Sequence, residues 1–341
     1  MAPPAPPARP LPGLAVTGAI ALAAWAGDHL ERALVGHPVL DALVLAILLG
    51  IAVRAAWTPG TRFSPGIDLA GKQFLELAIV LLGASVDLQQ VLRGGPALLG
   101  GIALTVVVVL VAGTWIGQRA GLEPVHATLV ACGNAICGNS AIAALAPIIG
   151  ARREQVASAI AFTAVIGVGV ILLLPALIPL AGLDHYQYGV VAGLTVYSVP
   201  QVLAAAFPVS ALSGEVGTLV KLVRVLMLGP VLVLFALLAG WRRHGAPAAA
   251  RPTLGQVLPW FVGGFVALAA LRSTGALPPA LAAPLRLASQ WLTLLAMAAL
   301  GVGVDLRDLR RAGPPVVLTV VASLLVLVAL AVTVARLALH P

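Results

Sequence analysis

Charged residues are scarce in this 341-residue sequence. Only 9% of the residues are Asp, Glu, Lys or Arg, whereas 60% are hydrophobic. An average soluble domain has about 25% charged residues, so the composition excludes a soluble globular enzyme and a disordered protein. Two cysteines in the whole chain are too few for a disulfide scaffold and favour no metal site. A mean hydropathy of +1.06 then leaves one class, the polytopic membrane protein.

Motifs for chemistry are also missing. The sequence has no P-loop, no zinc-protease helix motif and no serine-hydrolase elbow, and its six histidines are scattered. We therefore expect neither an enzyme nor a bound cofactor or metal. The net charge of +8 does not indicate nucleic acid, because the basic residues occur mostly singly or in pairs between apolar runs, where topology signals belong.

Long apolar runs dominate what is present, and they predict an all-α polytopic membrane protein. The predicted spans are 14–30, 39–56, 67–88, 96–118, 125–146, 154–181, 187–206, 216–240, 255–271, 284–304 and 315–338. Glycine and asparagine interrupt the run 125–146, and Pro200 interrupts 187–206. Either run can be a broken or re-entrant helix, so we expect ten or eleven transmembrane helices.

The organisation predicted along the chain is a single membrane domain in two bundles. A Pro-rich tail over 1–13 precedes a first bundle over 14–240, which contains the broken helix 125–146. A polar linker over 241–254 leads to a C-terminal bundle over 255–338. A small excess of arginines on the N-terminal side of the spans predicts a cytoplasmic N-terminus in a multi-pass protein of the bacterial inner membrane.

An internal repeat links the two bundles. Residues 83–96 read GASVDLQQVLRGGP and residues 301–314 read GVGVDLRDLRRAGP, so a motif in 67–118 recurs in the C-terminal bundle. The recurring residues are Gly83, Val86, Asp87, Leu88, Arg93, Gly95 and Pro96, matched by Gly301, Val304, Asp305, Leu306, Arg311, Gly313 and Pro314. An odd number of spans between the copies gives them opposite orientations, which is typical of secondary transporters.

The first polar cluster at membrane depth is CGNAICGNS over 132–140. Glycine costs helix stability and asparagine competes for backbone hydrogen bonds, so two Gly-Asn pairs predict local unwinding. A half-helix that starts near Ser140 would direct its positive end toward an anion. Candidate substrate-binding residues here are Asn134, Cys137, Gly138, Asn139 and Ser140. The alternative is a small-residue packing face joined by Asn and Ser.

Two further clusters supply candidate binding groups. Tyr197, Ser198 and Gln201 surround Pro200, which removes a backbone hydrogen bond, although a proline kink satisfied by Ser and Thr is an equal alternative. Lys221 and Arg224 lie three residues apart on one helical face inside an apolar run, where a cation usually faces a cavity or a partner. Their alternatives are snorkelling to an interface or pairing with Glu215.

Four other charged residues are candidates for coupling or for structure. Lys72 and Glu76 are four residues apart, and a simple ion pair is the favoured interpretation. Asp87 and Asp305 lie at span ends in the repeat, where helix termination is favoured over a cation-coupling site. Among the deeper charges, Lys72, Lys221 and Arg224 exceed the single carboxylate Glu76, so an anion is the expected counter-ion.

These motifs resemble the YeiH family of bacterial inner-membrane proteins, a group described as sulfate exporters. The matching stretches are PGIDLAGKQ at 65–73, ICGNSAIAALAPII at 136–149, VKLVRVLMLGPVLV at 220–233, PWFVGGF at 259–265 and LAMAALGVGVDL at 295–306. The resemblance implies inverted repeats, paired broken helices, a mobile core against a panel, and a second broken helix at Ala296–Gly301. Many members have His-Glu where this chain has Tyr197-Ser198, which removes a titratable pair.

Together these features predict a secondary transporter of a small anion, with sulfate or sulfite suggested by the resemblance. Two alternatives stay open: a cation-coupled carrier or antiporter that uses Asp87 and Asp305, and an intramembrane enzyme or a subunit of a complex. The expected partners are the anionic substrate and the lipid bilayer, with a homodimer plausible for carriers of this type. Substrate identity, direction, coupling ion and oligomeric state do not follow from the sequence.

Overall fold

The computed structural model describes residues 10–35, 41–85, 95–242, 260–304 and 313–337. Its described elements are all helices, as expected from the continuous apolar runs. They are α1 (Leu11–Val35), α2 (Ala42–Ala56), α3 (Ser64–Leu69), a π-helix (Ala70–Phe74), α4 (Leu75–Leu82), α5 (Gly95–Arg119), α6 (Pro124–Ala135), α7 (Asn139–Ile149), α8 (Arg153–Leu173), α9 (Leu177–Ala181), α10 (His185–Thr195), α11 (Val199–Ala206), α12 (Ala211–Leu226), α13 (Leu228–Arg242), α14 (Trp260–Ser273), α15 (Pro279–Gly303) and α16 (Pro314–Leu337).

Each of the eleven predicted spans coincides with helix in the structure. Five described stretches are long and apolar enough to cross a membrane: Leu11–Glu31, Gly95–Arg119, Ala211–Leu238, Ala280–Gly303 and Pro314–Leu337. The predicted runs 125–146 and 187–206 are each divided into two shorter helices, as their Gly, Asn and Pro residues indicated. The all-α membrane fold is therefore confirmed, and the count of ten or eleven spans stays a prediction.

The chain forms two compact units that do not follow chain order. Unit 1 consists of 1–86 and 264–305, and unit 2 consists of 87–263 and 306–341. Each unit takes residues from both sides of the linker predicted at 241–254. The candidate residues of all three polar clusters, from Asn134 to Arg224, lie in unit 2, whereas Lys72 and Glu76 lie in unit 1.

In unit 2 the helices that follow the two copies of the motif pack antiparallel, as an inverted repeat predicts. Helices α5 and α16, which follow the two copies of the motif, begin at Gly95-Pro96 and Gly313-Pro314, and both glycines have positive φ, +54° and +82°. A Cβ placed on Gly101 near the start of α5 would lie 2.6 Å from Val334 near the end of α16. At the other end of α5, Gly117 faces Thr319 at the start of α16.

Unit 1 shows the same relation between the helices that precede the motif. Ser289 Oγ in α15 donates to the Ala78 carbonyl in α4 at 2.7 Å, and Gly71 lies against Ala299. Because the sequence numbers run in opposite directions along this contact, α4 and α15 are antiparallel. Most of the motif itself, including Asp87 and Asp305, lies outside the described residues.

The second broken helix predicted at Ala296–Gly301 is wrong. Helix α15 continues without a break through this stretch to Gly303. Its glycine serves packing instead, because a Cβ on Gly301 would lie 2.3 Å from the Ile47 carbonyl oxygen of α2. Small residues let two membrane helices approach closely, and this contact explains the glycine without any unwinding.

Candidate functional site

Two interrupted helices in unit 2 form the core of the candidate site. The first break covers residues 136–138 between α6 and α7, and the second covers residues 196–198 between α10 and α11. Gly138 has φ +65° and ψ −121°, a conformation that side chains with a Cβ rarely adopt. At the second break Val196 and Ser198 are extended, and Pro200 is in the first turn of α11. The break predicted near Ser140 is thus confirmed, with α7 beginning at Asn139.

Small residues bring α12 close to α10 and so place the cations at the second break. A Cβ on Gly193 in α10 would lie 2.5 Å from the Gly217 carbonyl oxygen in α12, and one on Gly189 would lie 2.8 Å from the Ser213 carbonyl oxygen. Ser213, Gly217 and Lys221 are four residues apart and share one face of α12. This close contact therefore directs Lys221 to the end of α10.

Lys221 joins the two breaks through one nitrogen. Its side chain is fully buried, and Nζ donates to the Ile136 carbonyl at 2.5 Å and to the Val196 carbonyl at 2.8 Å. Ile136 and Val196 hold the same position in the two interrupted helices, since each is the first residue after its first half. A single ammonium group thus caps the C-terminal ends of both α6 and α10.

Arg224, also fully buried, completes this cap. Its Nε donates to the Ala135 carbonyl at 2.6 Å, and one terminal nitrogen donates to the Val196 carbonyl at 3.2 Å. The other terminal nitrogen donates to the Asn134 carbonyl. Neither the snorkelling nor the Glu215 alternative describes these cations, because both are fully buried and donate to main-chain carbonyls at the breaks.

The side chains around the breaks differ in exposure. Asn139 and Ser140, at the start of α7, are exposed, and Ser198 and Gln201 at the start of α11 are half-buried. Gln201 Oε1 accepts from the Ser198 backbone N–H at 3.2 Å. The buried Cys137 thiol lies within hydrogen-bonding reach of the Ser140 hydroxyl and the Ala141 N–H, and both cysteines are free.

Two buried oxygens next to the breaks have no hydrogen-bond partner among the described residues. They are Oδ1 of Asn134 and the hydroxyl of Tyr197, whose side chains are 0% and 1% exposed. Asn134 Nδ2 donates to Ser323 Oγ of α16 at 2.6 Å. The sequence indicated that both residues are polar and at membrane depth. Nothing in the sequence shows which polar side chains will have hydrogen-bond partners.

An ionic cluster outside the apolar spans connects the start of α6 to the start of α8. The Glu123 carboxylate accepts from Arg152 at 2.8 Å and from Gln155 Nε2 at 2.9 Å. This hydrogen bond and the nearby negative charge raise the pKa of the Arg152 guanidinium above its ordinary value. Because Arg is charged at all ordinary pH values, the pair persists across the physiological range.

Of the four charged candidates for coupling or structure, the structure describes Lys72 and Glu76. Lys72 lies in the π-helix and is exposed, and Glu76 in α4 is half-buried. Asp87 and Asp305 are outside the described residues. Within the part of the chain that the structure describes, no group of three His, Cys, Asp or Glu residues is placed to hold a metal ion.

Comparison with known proteins gives a family for this arrangement. The family model described as Conserved hypothetical protein 698 matches residues 12–320. Relatives include the UPF0324 membrane proteins BMEI1914 of Brucella melitensis (52% identical over 93% of this chain and 88% of the relative) and Atu0671 of Agrobacterium fabrum (48% over 93% and 90%). A UPF0324 membrane protein of Bacillus cereus is 33% identical over 81% of this chain and 80% of its own length. The chain therefore belongs to the Conserved hypothetical protein 698 family, the YeiH or UPF0324 membrane proteins that its motifs indicated.

Proposed function

We propose that this protein is a secondary transporter of a small anion. The observation that carries the proposal is the pair of interrupted helices whose ends meet at two buried cations. Non-helical backbone at membrane depth is tolerated only where it is buried in protein or lines a water-filled cavity. Secondary transporters use such interrupted helices, in inverted repeats, to form substrate sites near the bilayer midplane.

The charge at the breaks favours an anion. Lys221 and Arg224 contribute two positive charges, and the two helix C-termini that they cap offset about half of each. Helices α6, α7, α10 and α11 contain no Asp or Glu, so roughly one positive charge remains. The first turns of α7 and α11 add further positive potential where Asn139, Ser140, Ser198 and Gln201 lie.

In the proposed mechanism the cations organise the site and the half-helix starts bind the substrate. Lys221 and Arg224 hold the breaks open by bonding carbonyls that would otherwise be unpaired. The backbone and side chains of Asn139 and Ser140 then receive an anionic oxygen, which is a stronger acceptor than the Cys137 thiol now beside Ser140 and Ala141. Tyr197 and Gln201 would supply the second side of the site.

The substrate, the direction and the location are parts of the same proposal. A sulfur oxyanion such as sulfate or sulfite, moved outward across the bacterial inner membrane with the N-terminus in the cytoplasm, is the version that the family resemblance favours. A cation-coupled carrier is the alternative. It depends on Asp87 and Asp305, and flux that requires sodium or a pH gradient would favour it.

The test is counterflow in proteoliposomes with labelled sulfate, sulfite and 2-hydroxyethanesulfonate. We expect accumulation of at least one anion, and we expect Ser140→Ala to lower it about fivefold, as for loss of one hydrogen bond of ~1 kcal/mol. Thr333→Ala is the matched control, because Thr333 is an exposed hydroxyl residue of α16 in the same unit, bonded only to its own helix. Arg224→Ala is a poorer probe, since it also removes the donor of the Asn134 and Ala135 carbonyls.

Two results would count against this proposal. Folded protein that accumulates none of the anions, including a wider panel of carboxylates, would overturn anion transport. Accumulation that is equal in wild type, Ser140→Ala and Thr333→Ala would keep the carrier and remove the start of α7 from its path.

A further inference from the structure

The two unpartnered oxygens at the breaks are the feature that the proposed function does not yet use. A buried polar group without a hydrogen bond costs about as much as a lost hydrogen bond, and native proteins keep few of them. Here two belong to residues whose main chain lies at the guanidinium of Arg224. The main-chain carbonyl of Asn134 accepts from Arg224, and Tyr197 directly follows Val196, whose carbonyl also accepts from Arg224.

The orientation of the Asn134 amide is fixed by its neighbours. Ser323 Oγ has one proton, and it donates that proton to the Thr319 carbonyl at 2.6 Å. Ser323 can therefore only accept from Asn134, so the group facing it must be Nδ2. The remaining Oδ1 is an acceptor that needs a donor from elsewhere, and no described residue supplies one.

The Tyr197 hydroxyl is placed by packing rather than by a hydrogen bond. Its ring meets the buried ring of Phe162 edge to face, with centroids 6.0 Å apart and planes at 74°. A second buried tyrosine of unit 2 behaves differently, because the Tyr188 hydroxyl donates to the Ala205 carbonyl at 2.8 Å. The buried hydroxyl of Tyr188 thus has a hydrogen-bond acceptor, whereas that of Tyr197 has none among the described residues.

We propose that the Asn134 oxygen selects a substrate anion that carries its own hydrogen-bond donor, and that the Tyr197 hydroxyl binds the same anion. This inference rests on the proposed function and narrows the class of anion that the protein would transport. Asn134 Oδ1 would accept from an O–H of the anion, and Tyr197 would bond another of its oxygens. Hydrogensulfite and hydroxyalkanesulfonates have such an O–H. Fully ionised sulfate and simple alkanesulfonates have none and would leave Oδ1 unpaired.

The size of the preference follows from the cost of that unpaired acceptor. Leaving one buried acceptor unsatisfied weakens binding by about tenfold to a hundredfold. Sites built around a substrate hydroxyl reject analogues that lack it, because the polar groups of the site are then left without partners. Among the sulfonates the selection acts on the donor and not on the charge, since hydroxylated and simple alkanesulfonates carry the same singly charged head.

The test compares two monoanions that differ by one hydroxyl, 2-hydroxyethanesulfonate and ethanesulfonate, by calorimetry on the purified full-length protein. We expect the hydroxylated anion to bind at least about tenfold more tightly. Sulfite should bind more tightly as the pH falls and hydrogensulfite forms, while sulfate should not. Asn134→Leu should reduce the preference, Tyr197→Phe should weaken binding of both sulfonates alike, and Tyr188→Phe, the matched control, should change neither.

Stability supplies a second readout that separates a binding role from a structural one. Without ligand, Tyr197→Phe should melt no lower than wild type, because it removes a hydroxyl that has no partner, whereas Tyr188→Phe should melt lower. The comparison of the two sulfonates on wild type needs no variant, so it decides the question even if Asn134→Leu does not fold.

Three outcomes would overturn the inference. They are equal or tighter binding of ethanesulfonate, a preference retained in Asn134→Leu, and no binding of sulfonate or sulfite by protein that performs counterflow. In the last case the transport proposal stands. Selective binding by protein that shows no counterflow would instead support the inference and overturn the carrier.

Discussion

Lys221 stabilises the two interrupted helices through its hydrogen bonds as well as through its charge. Its nitrogen holds one carbonyl from each interrupted helix, Ile136 at 2.5 Å and Val196 at 2.8 Å. A buried ammonium group is costly unless it is well bonded, and these carbonyls are costly unless they have donors. The ammonium group and the carbonyls therefore each supply the hydrogen-bond partner that the other needs.

Replacing Lys221 with Met should destabilise the protein strongly. The methionine keeps most of the side-chain volume but leaves the buried Ile136 carbonyl without its donor, at about 1–3 kcal/mol, and leaves the Val196 carbonyl with Arg224 alone. We expect the apparent Tm in detergent to fall by several degrees. Thr218→Ala is the control on the same helix, because Thr218 bonds only to the Gly214 carbonyl of its own helix at 2.7 Å. Equal melting of the two variants would contradict this role.

Individual residues also show why the site was only partly predictable. The apolar surroundings of Lys221 and Arg224 marked them as buried cations, and the structure confirms the burial. Their partners are main-chain carbonyls 25 to 90 residues away in sequence. No periodicity or spacing encodes such contacts, because every residue has a carbonyl and only the fold decides which ones end unpaired.

At the level of elements, the first break depends on a glycine. Gly138 has φ +65° and ψ −121°, and this backbone lets the chain leave α6 and enter α7 within three residues. A Cβ in this conformation is strained by about 1–3 kcal/mol. The break is therefore held in place by its sequence as well as by the cations.

Gly138→Ala should lower stability by about 1–3 kcal/mol and reduce anion counterflow. Gly169→Ala is the matched change inside α8 of the same unit, where a Cβ would meet no atom within 4 Å. It should be neutral or slightly stabilising, because alanine favours helix over glycine. Chemical or thermal unfolding of both variants checks the difference, and a Gly138→Ala protein as stable as Gly169→Ala would show that the break needs no glycine.

The elements also separate two uses of small residues that look alike in sequence. The cluster CGNAICGNS unwinds its helix, whereas AMAALG at Ala296–Gly301 remains helical and packs tightly on α2. The difference lies in the side chains next to the glycines. Asn134, Asn139 and Ser140 offer competing hydrogen bonds to the backbone, while Ala, Met and Leu offer none and favour helix.

On the scale of the whole molecule, the repeat organises the chain. The helices that follow the two copies of the motif pack antiparallel, with Gly101 against Val334 and Gly117 against Thr319. The recurring Asp, Arg and Pro predicted the repeat. Its predicted inversion depended on the number of spans, and the antiparallel packing of α5 on α16 agrees with the prediction without depending on that number.

An inverted arrangement predicts which cysteine pairs will form a disulfide. A Cβ at position 101 would lie 3.5 Å from the Val334 Cβ, within the range of disulfide geometry. In a chain with Cys132→Ser and Cys137→Ser, the pair Gly101→Cys and Val334→Cys should cross-link on mild oxidation. The pair Gly101→Cys and Thr319→Cys should not, because 15 residues of helix separate positions 319 and 334 by about 22 Å. The mobility shift on non-reducing gels distinguishes the two, and the reverse pattern would indicate parallel copies.

The contact between Lys221 and Ile136 also has a consequence for how the protein is made. The two residues are 85 positions apart, and ribosomes add roughly 5–20 residues per second. The first interrupted helix is therefore synthesised roughly 4–17 s before the lysine that caps it. Its bare carbonyls must meanwhile be solvated by water or held by another protein, because lipid offers no donors. The finished site therefore forms only after the lysine has been inserted and has replaced those temporary partners.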